Sequence, residues 1–384
     1  MEKNKKANQS HKGSNDSKKK RPLYRTIYED QKDKILNGVY VDGEKMPFER
    51  ELCDEYNVDR ITVRRSLDLL VADGLLEKRP GLGSFVKSSI TDMLLRQNLS
   101  HNILFVMSKN SNDISNNPSA FNSELFYAIE RECRSKGYSL FYSMLDNHGD
   151  LSSLTNGNSF AGILFVSYVP KQILDQCAQM HLPAICVNNR HESLISIVPE
   201  DERGSYEAVK YLQSEGHKKI GILLGREEYY STQERYRGYK AAMRDMMLDI
   251  DAHHVLNGDW TFVSAHNAVF DMIDTLELSQ LPTAIFCCSD IMAIGAMDAI
   301  NEKKLAVPHD ISIVGFDNVN QSNYVSPRLT TVSVDVKLMA ELAVEKICSF
   351  SEGTAIKGYS VLIPAILEKR QSVVSINKSN ENWR

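Results

Sequence analysis

The sequence predicts an α/β fold in two parts: a small N-terminal domain of three helices and a hairpin, and a larger domain built from two doubly wound lobes. Residues 22–87 carry three amphipathic helical patterns, followed by two short strands around a Gly-rich turn. From residue 102 onwards, short apolar runs alternate with longer amphipathic stretches, as in parallel sheets that are covered by helices. This alternation restarts after Pro199, which predicts the second lobe.

The composition is typical of a globular protein. The chain has 384 residues, of which 42% are apolar, so it can bury two or three separate cores. No apolar run approaches the roughly 18 residues that cross a membrane, and residues 1–20 lack the apolar core of a signal peptide, so we expect a cytoplasmic protein. The seven cysteines include no CxxC pair and the ten histidines show no metal-ligand spacing, so we expect reduced thiols, no metal and no cofactor.

The net charge of −5 conceals a basic N-terminal tail. Residues 1–20 contain seven lysines, against only Glu2 and Asp16. A Ser/Asn/Gly/Lys-rich stretch of this kind cannot bury a core, so residues 1–21 are predicted to be disordered. The tail is either a solubilising extension or an arm that contacts phosphate groups. Residues 376–384 are predicted to form a second, C-terminal tail.

Three helices are predicted before residue 73. The first runs from Leu23 to Asn37, where an Asn-Gly pair stops it, and the second runs from Phe48 to Tyr56 after Pro47. Asp59 is predicted to be the N-cap of the third helix, because a carboxylate accepts hydrogen bonds from the free N–H groups of a first turn.

The third helix is predicted to have one buried face and one cationic face. Its apolar stripe consists of residues spaced i, i+4, i+7 and i+8, which are Val63, Leu67, Leu70 and Val71. At about 100° per residue, Thr62 and Arg65 point away from this stripe, while Arg60 and Arg64 flank it. A solvated helix face is the alternative reading of these arginines.

Residues 75–87 predict a hairpin, or wing, with strands at Leu75–Arg79 and Ser84–Lys87. Gly81 and Gly83 in its tip would let the backbone approach a phosphate or enter a groove of DNA. Three helices and such a hairpin form a winged helix-turn-helix, which also occurs in protein-binding domains. The order of the motifs is therefore more informative than any one of them.

Residues 22–87 resemble the DNA-binding domain of the GntR family of bacterial repressors. The matching segments are MPFEREL at 46–52, VDRITVR at 58–64, GLLE at 74–77 and GLGSFV at 81–86. The resemblance implies that Arg50, Arg60, Thr62 and Arg64 contact DNA and that the wing-tip glycines enter the minor groove. With Arg65, which lies on the same exposed face, the predicted DNA-binding residues are Arg50, Arg60, Thr62, Arg64, Arg65, Gly81 and Gly83.

This sequence departs from the family pattern at two positions. Phe48 stands where the family has a serine N-cap for the second helix, and Asp59 stands where it has a serine beside the phosphates. Neither change removes the predicted docking face. Asp59 adds a negative charge near DNA, which could lower the affinity or alter the base preference.

Residues 88–101 are predicted to be a linker, and residues 102–375 to form the two lobes. The strands predicted for the first lobe are Ile103–Met107, Ser139–Met144, Gly162–Val166 and Ala184–Val187, with a helix at Glu124–Ser135. Those predicted for the second lobe are Ile220–Leu224, Ala284–Cys287 and Ile311–Gly315, with helices at Tyr206–Gln213, Arg235–Met247 and Ala293–Asn301. Open α/β sheets bind ligands at the carboxyl ends of their strands, so the cleft between the lobes is the expected site.

The second part resembles the effector-binding domain of the LacI and GalR family, which is itself similar to periplasmic sugar-binding proteins. The matching segments are EGHKKIG at 215–221, RYRGY at 235–239, PTAIFCCSD at 282–290, VPHDISIVGFD at 307–317 and PRLTTV at 327–332. A GntR-type head joined to a LacI-type body is similar in plan to the arabinose repressor of bacilli.

The LacI resemblance implies an effector site made of Arg235, Asp290, Trp260 and Asn188. Aspartate accepts hydrogen bonds from paired hydroxyls and arginine donates to ring or hydroxyl oxygens, which suits a polyol or nucleoside, most simply a saccharide. Three alternatives stay open: Arg235 in a surface ion pair, Asp290 as a helix N-cap, and Trp260 in plain packing. His217 is predicted to be a structural turn residue.

Together these features predict a DNA-binding transcription repressor that is controlled by a small polar effector. One winged helix reads only a few base pairs, so a homodimer on double-stranded operator DNA is expected. An enzyme is the first alternative, but the sequence contains no nucleophile elbow, no Walker loop and no dinucleotide-binding loop. A solute-binding protein is the second alternative, and the attached winged helix argues against it. A corepressed regulator or an activator would have the same architecture.

Overall fold

The computed structural model describes residues 22–36, 39–40, 43–79, 82–87, 101–109, 119–146, 160–179, 183–350 and 358–376. The chain divides into two compact units, Met1–Asn98 and Leu99–Arg384, called here the head and the α/β unit. In the described residues, no helix is long and apolar enough to cross a membrane. The predicted tail at 1–21, all but Ile376 of the predicted tail at 376–384 and nearly all of the linker at 88–101 lie outside these residues.

The head contains three helices and a two-stranded hairpin. The helices are α1 (Leu23–Leu36), α2 (Glu49–Tyr56) and α3 (Arg60–Ala72), and the antiparallel strands are β1 (Leu76–Arg79) and β2 (Gly83–Val86). Its core is formed by one apolar face from each helix and by the hairpin, and includes Ile27, Leu52, Val63, Leu67 and Val86. The predicted winged helix-turn-helix is confirmed.

The first lobe of the α/β unit is a six-stranded, fully parallel sheet in the order β13-β7-β6-β5-β3-β4. Its strands are β3 (Asn102–Lys109), β4 (Ser139–Asp146), β5 (Gly162–Val166), β6 (Ala184–Val187), β7 (Ile195–Pro199) and β13 (Ser360–Ile363). Its helices are α4 (Ala120–Ser135), α5 (Lys171–Gln179) and α10 (Val336–Phe350).

The second lobe has the sheet order β14-β12-β11-β10-β8-β9, in which only β14 is antiparallel to its neighbour. Its strands are β8 (Ile220–Leu224), β9 (Val255–Asn257), β10 (Ala284–Cys287), β11 (Ser312–Asp317), β12 (Thr330–Val334) and β14 (Ala365–Glu368). Its helices are α6 (Asp201–Ser214), α7 (Tyr230–Asp245), α8 (Phe262–Thr275) and α9 (Asp290–Glu302). The chain crosses between the lobes after β7, after β12 and between β13 and β14, so all three crossings lie at one hinge.

Four helices begin earlier than the sequence predicted. Helix α4 starts at Ala120 and not at Glu124, and α9 starts at Asp290 and not at Ala293; the differences are largest in α6 and α7. Helix α6 starts at Asp201 and not at Tyr206, and α7 starts at Tyr230 and not at Arg235. The apolar periodicity on which the prediction rested begins only in the second turn of α6 and of α7, since their first turns are polar. The difference matters because these first turns border the cleft.

His217 and the cysteines are structural, as predicted. His217 is buried, with Nδ1 3.0 Å from the Thr283 hydroxyl oxygen and Nε2 3.1 Å from the Val374 carbonyl oxygen. Burial lowers the pKa of His217, so its imidazole is neutral. None of the seven cysteines forms a disulfide, and five of them are buried. Burial raises the pKa values of Cys133, Cys177 and Cys186 to about 12, as expected of unreactive packing thiols.

Candidate functional site

The cationic face of α3 begins at a well-formed helix cap. Asp59 Oδ1 accepts a 2.7 Å hydrogen bond from the Thr62 backbone N–H, which confirms the predicted N-cap. The same hydrogen bond holds the pKa of the Asp59 carboxyl below its usual value. The Asp59 carboxylate, which replaces the serine of the family pattern, therefore caps the helix. At α2, Phe48 provides no side-chain cap, and Glu51 Oε2 instead accepts from the Phe48 N–H at 2.7 Å.

One carboxylate of α2 holds two arginines of α3. Glu49 lies 2.6 Å from Arg60 Nε and 3.4 Å from Arg64 Nε, one oxygen for each arginine. Both arginine side chains remain mostly exposed, at 75% and 64%. The two guanidinium groups are thus kept close together on the outer face of the helix, where an anionic surface could reach them.

The other predicted DNA-contacting residues of the helices do not share a common partner as Arg60 and Arg64 do. Arg65 lies with its guanidinium 4.0 Å from the centre of the Tyr24 ring, a cation–π contact between α3 and α1. Arg50 is exposed on α2, and Thr62 is half-buried at the start of α3. The structure therefore brings Arg60 and Arg64 together and places Arg65 beside α1.

The wing presents Gly83 at its tip with a φ of 112°, a conformation that favours glycine. Leu82 beside it is exposed, and Arg79 stacks over the Phe85 ring at 4.4 Å while pairing with Glu77. Gly81, which the sequence predicted to contact DNA together with Gly83, lies outside the described residues.

In the α/β unit, Arg235 is the centre of a buried polar cluster. Its Nε donates to Asp201 Oδ1 at 2.7 Å, and one terminal nitrogen donates to Asp317 Oδ1 at 3.1 Å and to the Cys288 carbonyl oxygen. The guanidinium also lies 3.6 Å from the centre of the Phe316 ring. Arg235 is only 2% exposed, so the alternative of a surface ion pair does not hold.

Two buried carboxyl groups, Asp201 and Asp317, share the Arg235 guanidinium, and a third, Asp290, interacts electrostatically with Asp317 and with Arg370. Burial raises the pKa values of Asp201 and Asp290, and it raises that of Asp317 to about 7. Burial acts to lower the pKa of Arg235, but the carboxylates of Asp201 and Asp317 overcome this and keep the arginine charged. The cluster therefore has an excess of acidic groups.

Asp290 is engaged by the protein on both oxygens. Its Oδ2 accepts from the Val319 N–H at 2.8 Å, and its Oδ1 accepts from the Thr331 hydroxyl. The N-cap of α9 is Ser289, and Asp290 is the first residue of the helix. Asp290 thus ties α9 to the loop after β11, and its effector role stays a prediction.

Trp260 lies in an unusual backbone conformation, with a φ of 60°, and packs flat against Gly225. A Cβ atom at Gly225 would lie 2.0 Å from the indole ring, so no larger residue fits there. The ring centre is 5.7 Å from the Arg235 guanidinium, and the buried indole Nε1 has no hydrogen-bond partner. The predicted aromatic is therefore next to the predicted arginine.

Sequence reasoning missed two tyrosines that join the lobes. Tyr168 follows β5 of the first lobe, and its ring stacks on that of Tyr229 from the second lobe at 5.1 Å. Tyr229 is in turn 5.8 Å from Trp260. The position of Tyr168 at the carboxyl end of a strand was a usable signal, whereas Tyr229 lies in a loop that offers none.

Asn188 follows β6 of the first lobe, in a left-handed conformation with a φ of 54°. Its Nδ2 donates to Ser167 Oγ at 3.3 Å, and its buried Oδ1 has no partner. Ser167 directly precedes Tyr168, so Asn188 is near the aromatic contact between the lobes. A second contact between the lobes is made by Glu124, which accepts from the Asn320 N–H at 3.4 Å.

A cavity of about 460 Å³ lies between the lobes beside Asp201. It is lined by Arg190 of the first lobe and by Tyr230 and Glu234 of α7, among others. Asp201 therefore borders both this cavity and Arg235. None of the four predicted effector residues, Arg235, Asp290, Trp260 and Asn188, lines this cavity. Trp260 and Asn188 lie instead at or near the aromatic contact between the lobes.

Known proteins resemble both parts of the chain. The model of the gntR family of bacterial regulatory proteins matches residues 23–86, and that of the periplasmic binding protein-like domain matches residues 209–373. The HTH-type transcriptional repressor PurR of Pasteurella multocida (strain Pm70) is 34% identical over 229 residues, which are 57% of this chain and 67% of that protein.

Two solved structures show the same fold. The Lac repressor dimer bound to operator and the anti-inducer ONPF has a TM-score of 0.63 at 25% identity, covering 75% of this chain and 99% of that one. The complex of the transcriptional regulator CelR with cellobiose has a TM-score of 0.64 at 18% identity, covering 85% and 100%. The GntR and LacI resemblances expected from the sequence are thereby confirmed.

Proposed function

Because this chain belongs to the HTH-type transcriptional repressors, we propose that its operator binding is controlled by an uncharged saccharide bound between the lobes of the α/β unit. The relatives are transcriptional repressors, and the head of this chain matches the gntR family of bacterial regulatory proteins. The effector, its site and the assembly of the protein are the proposal.

Unsatisfied buried polar atoms carry the proposal. In the described residues, four such atoms belong to residues near Arg235 or the aromatic contact between the lobes: Asn188 Oδ1, Asp201 Oδ2, Thr232 Oγ1 and Trp260 Nε1. A buried polar atom without a partner costs about 1–3 kcal/mol. Ligand hydroxyl groups both donate and accept, so they suit acceptor oxygens such as Asp201 Oδ2 and donors such as the Trp260 indole N–H.

The charge of the site favours a neutral ligand. Asp201 and Asp317 are buried and share the single guanidinium of Arg235. An added carboxylate or phosphate would meet two carboxyls whose one cation is already shared, whereas hydroxyl groups can donate to them. The aromatic rings of Trp260 and Tyr229 would offer apolar faces to a sugar ring once the Tyr168–Tyr229 contact between the lobes opens. The structural neighbour CelR was solved with cellobiose, which supports the same class.

Effector control would act through the hinge. A ligand that binds one arrangement of the lobes more tightly shifts the population toward it. Contacts that would respond are the Tyr168–Tyr229 stack and the Glu124–Asn320 hydrogen bond, since both join the lobes. Action on operator DNA would place the protein in the cytoplasm.

A homodimer is supported by an exposed apolar patch at the edge of the first lobe. Edge strand β4 exposes Phe141, Tyr142 and Met144, and Tyr127 of α4 continues the patch through contacts of Phe126 with both tyrosines. Exposed apolar groups on an edge strand favour association. Sedimentation of wild type and Tyr142→Lys tests this: the proposal requires a dimer that the substitution weakens, and a wild-type monomer contradicts it.

A thermal-shift screen tests the effector proposal. Wild type is heated with neutral sugars, uronic acids and nucleosides, each supplied in excess, because a ligand that binds only the folded state raises the Tm. We expect neutral sugars alone to raise the Tm, and Trp260→Ala to lose that shift. Arg134→Ala, an exposed arginine of α4, is the control and should keep it. A shift with uronic acids or nucleosides instead would contradict the neutral-saccharide assignment.

A further inference from the structure

The recognition helix exposes an isoleucine that its packing does not explain. Ile61 is the second residue of α3 and is 79% exposed, more than any other large apolar residue of the described head. It lies about 200° around the helix from the buried Val63 and so points away from the core. It is absent from the apolar cluster that holds the head together.

Ile61 is placed among groups suited to reading DNA. On the helix surface it lies about 60° from Arg64 and about 100° from Arg60, the two arginines that Glu49 holds. It belongs to the first turn, which the Asp59 cap fixes. The N-terminal residues of a recognition helix are those that reach base edges in the major groove.

The chemistry of the major groove offers one partner for such a side chain. Base pairs present hydrogen-bond donors and acceptors there, and the C5-methyl group of thymine is the apolar exception. Isoleucine can neither donate nor accept, so it would cost affinity beside any polar edge and gain affinity beside a methyl group. We propose that Ile61 selects a thymine in the operator, next to the bases or phosphates contacted by Arg60 and Arg64.

The inference rests on operator binding by the head, and it assigns one base of the operator, a thymine, to Ile61. Its test begins with selection of binding sites by the full-length protein from random double-stranded DNA. At each thymine of the selected site, uracil is then substituted, which removes only the C5-methyl group. Affinities of wild type and Ile61→Ala for both DNAs complete a double-mutant cycle.

We expect one thymine at which uracil weakens wild-type binding about fourfold or more, the effect of withdrawing a buried methyl group. For Ile61→Ala the same replacement should change the affinity by less than twofold. Ile61→Val should retain most of the discrimination, because it keeps a branched apolar end. Arg64→Ala should bind both DNAs more weakly while keeping their ratio.

Two results would overturn the assignment. One is a uracil effect of equal size in wild type and Ile61→Ala, and the other is a selected site in which no thymine is sensitive to loss of its methyl group. If the wild-type protein selected no DNA at all, the result would instead contradict operator binding by the head. A circular dichroism spectrum of Ile61→Ala that matches wild type excludes misfolding as the cause.

Discussion

Arg235 and Asp201 form a buried ion pair at the hinge, with Arg235 Nε 2.7 Å from Asp201 Oδ1 and both side chains almost inaccessible to solvent. The pair joins the first turn of α6, which directly follows the first lobe, to the second turn of α7. The second oxygen of Asp201 has no partner, although its residue lines the cavity between the lobes. One carboxylate is thus placed to sense a ligand and to hold the arginine.

Loss of the arginine should damage stability as well as effector response. Arg235→Ala leaves Asp201 and Asp317 buried without their cation, and breaking a buried pair in this way costs about 3–5 kcal/mol. Thermal unfolding should show a lower Tm for the α/β unit. Arg237→Ala, an exposed neighbour on the same helix, is the matched control and should unfold near the wild-type temperature. Equal Tm values for all three proteins would show that the buried pair contributes little.

The free energy of unfolding should fall as the pH rises from about 4 to 7. Burial raises the pKa of Asp317 to about 7, above the roughly 4 of an unfolded aspartate. In this range the folded state holds more protons than the unfolded state. The stability that protonated Asp317 contributes is therefore fully present below pH 4 and is lost as the pH rises to 7. Asp201 and Asp290 act in the same direction. Denaturant unfolding from pH 5 to pH 8 should therefore show a weaker decline for Asp317→Asn than for wild type, and identical slopes would refute the Asp317 assignment.

The two arginines that share Glu49 should both contribute to operator affinity. Arg60→Ala and Arg64→Ala should each weaken binding by about 1–3 kcal/mol if they contact bases, and by less if they contact phosphates only. Electrophoretic mobility shift with a selected operator measures this. Arg134→Ala removes an equally exposed arginine from the α/β unit and should leave the affinity unchanged. Wild-type affinity in both head variants would contradict the recognition-helix assignment.

The N-terminal lysines can be tested by the salt dependence of binding. If some of the seven lysines in residues 1–20 contact phosphates, deletion of these residues should make the slope of log affinity against log salt shallower. Each lost phosphate contact changes the slope by about 0.9. A slope equal to that of the full-length protein would identify the tail as a solubilising extension.

Local features were predictable from the sequence, and long-range ones were not. The Asp59 cap and the buried stripe of α3 depend on neighbours within one or two turns, so they could be read directly. Arg235 was found through a family resemblance, but its partners Asp201 and Asp317 are 34 and 82 residues away, and only the fold brings them together. The predicted roles of Asn188, Trp260 and Asp290 in effector binding remain predictions.

The most direct test of coupling between the lobes and the head is reciprocal titration. Once a sugar is found that shifts the Tm, its Kd is measured by calorimetry with and without a saturating operator fragment, and the operator Kd is measured with and without saturating sugar. Linkage requires the two ratios to be equal, and we expect the factor of about 5–150 that is typical of allosteric coupling. Arg235→Ala and Trp260→Ala should lose that factor while retaining sugar-free operator affinity. A sugar Kd that is indifferent to operator DNA would contradict the account, because the α/β unit would then bind its ligand without controlling the head.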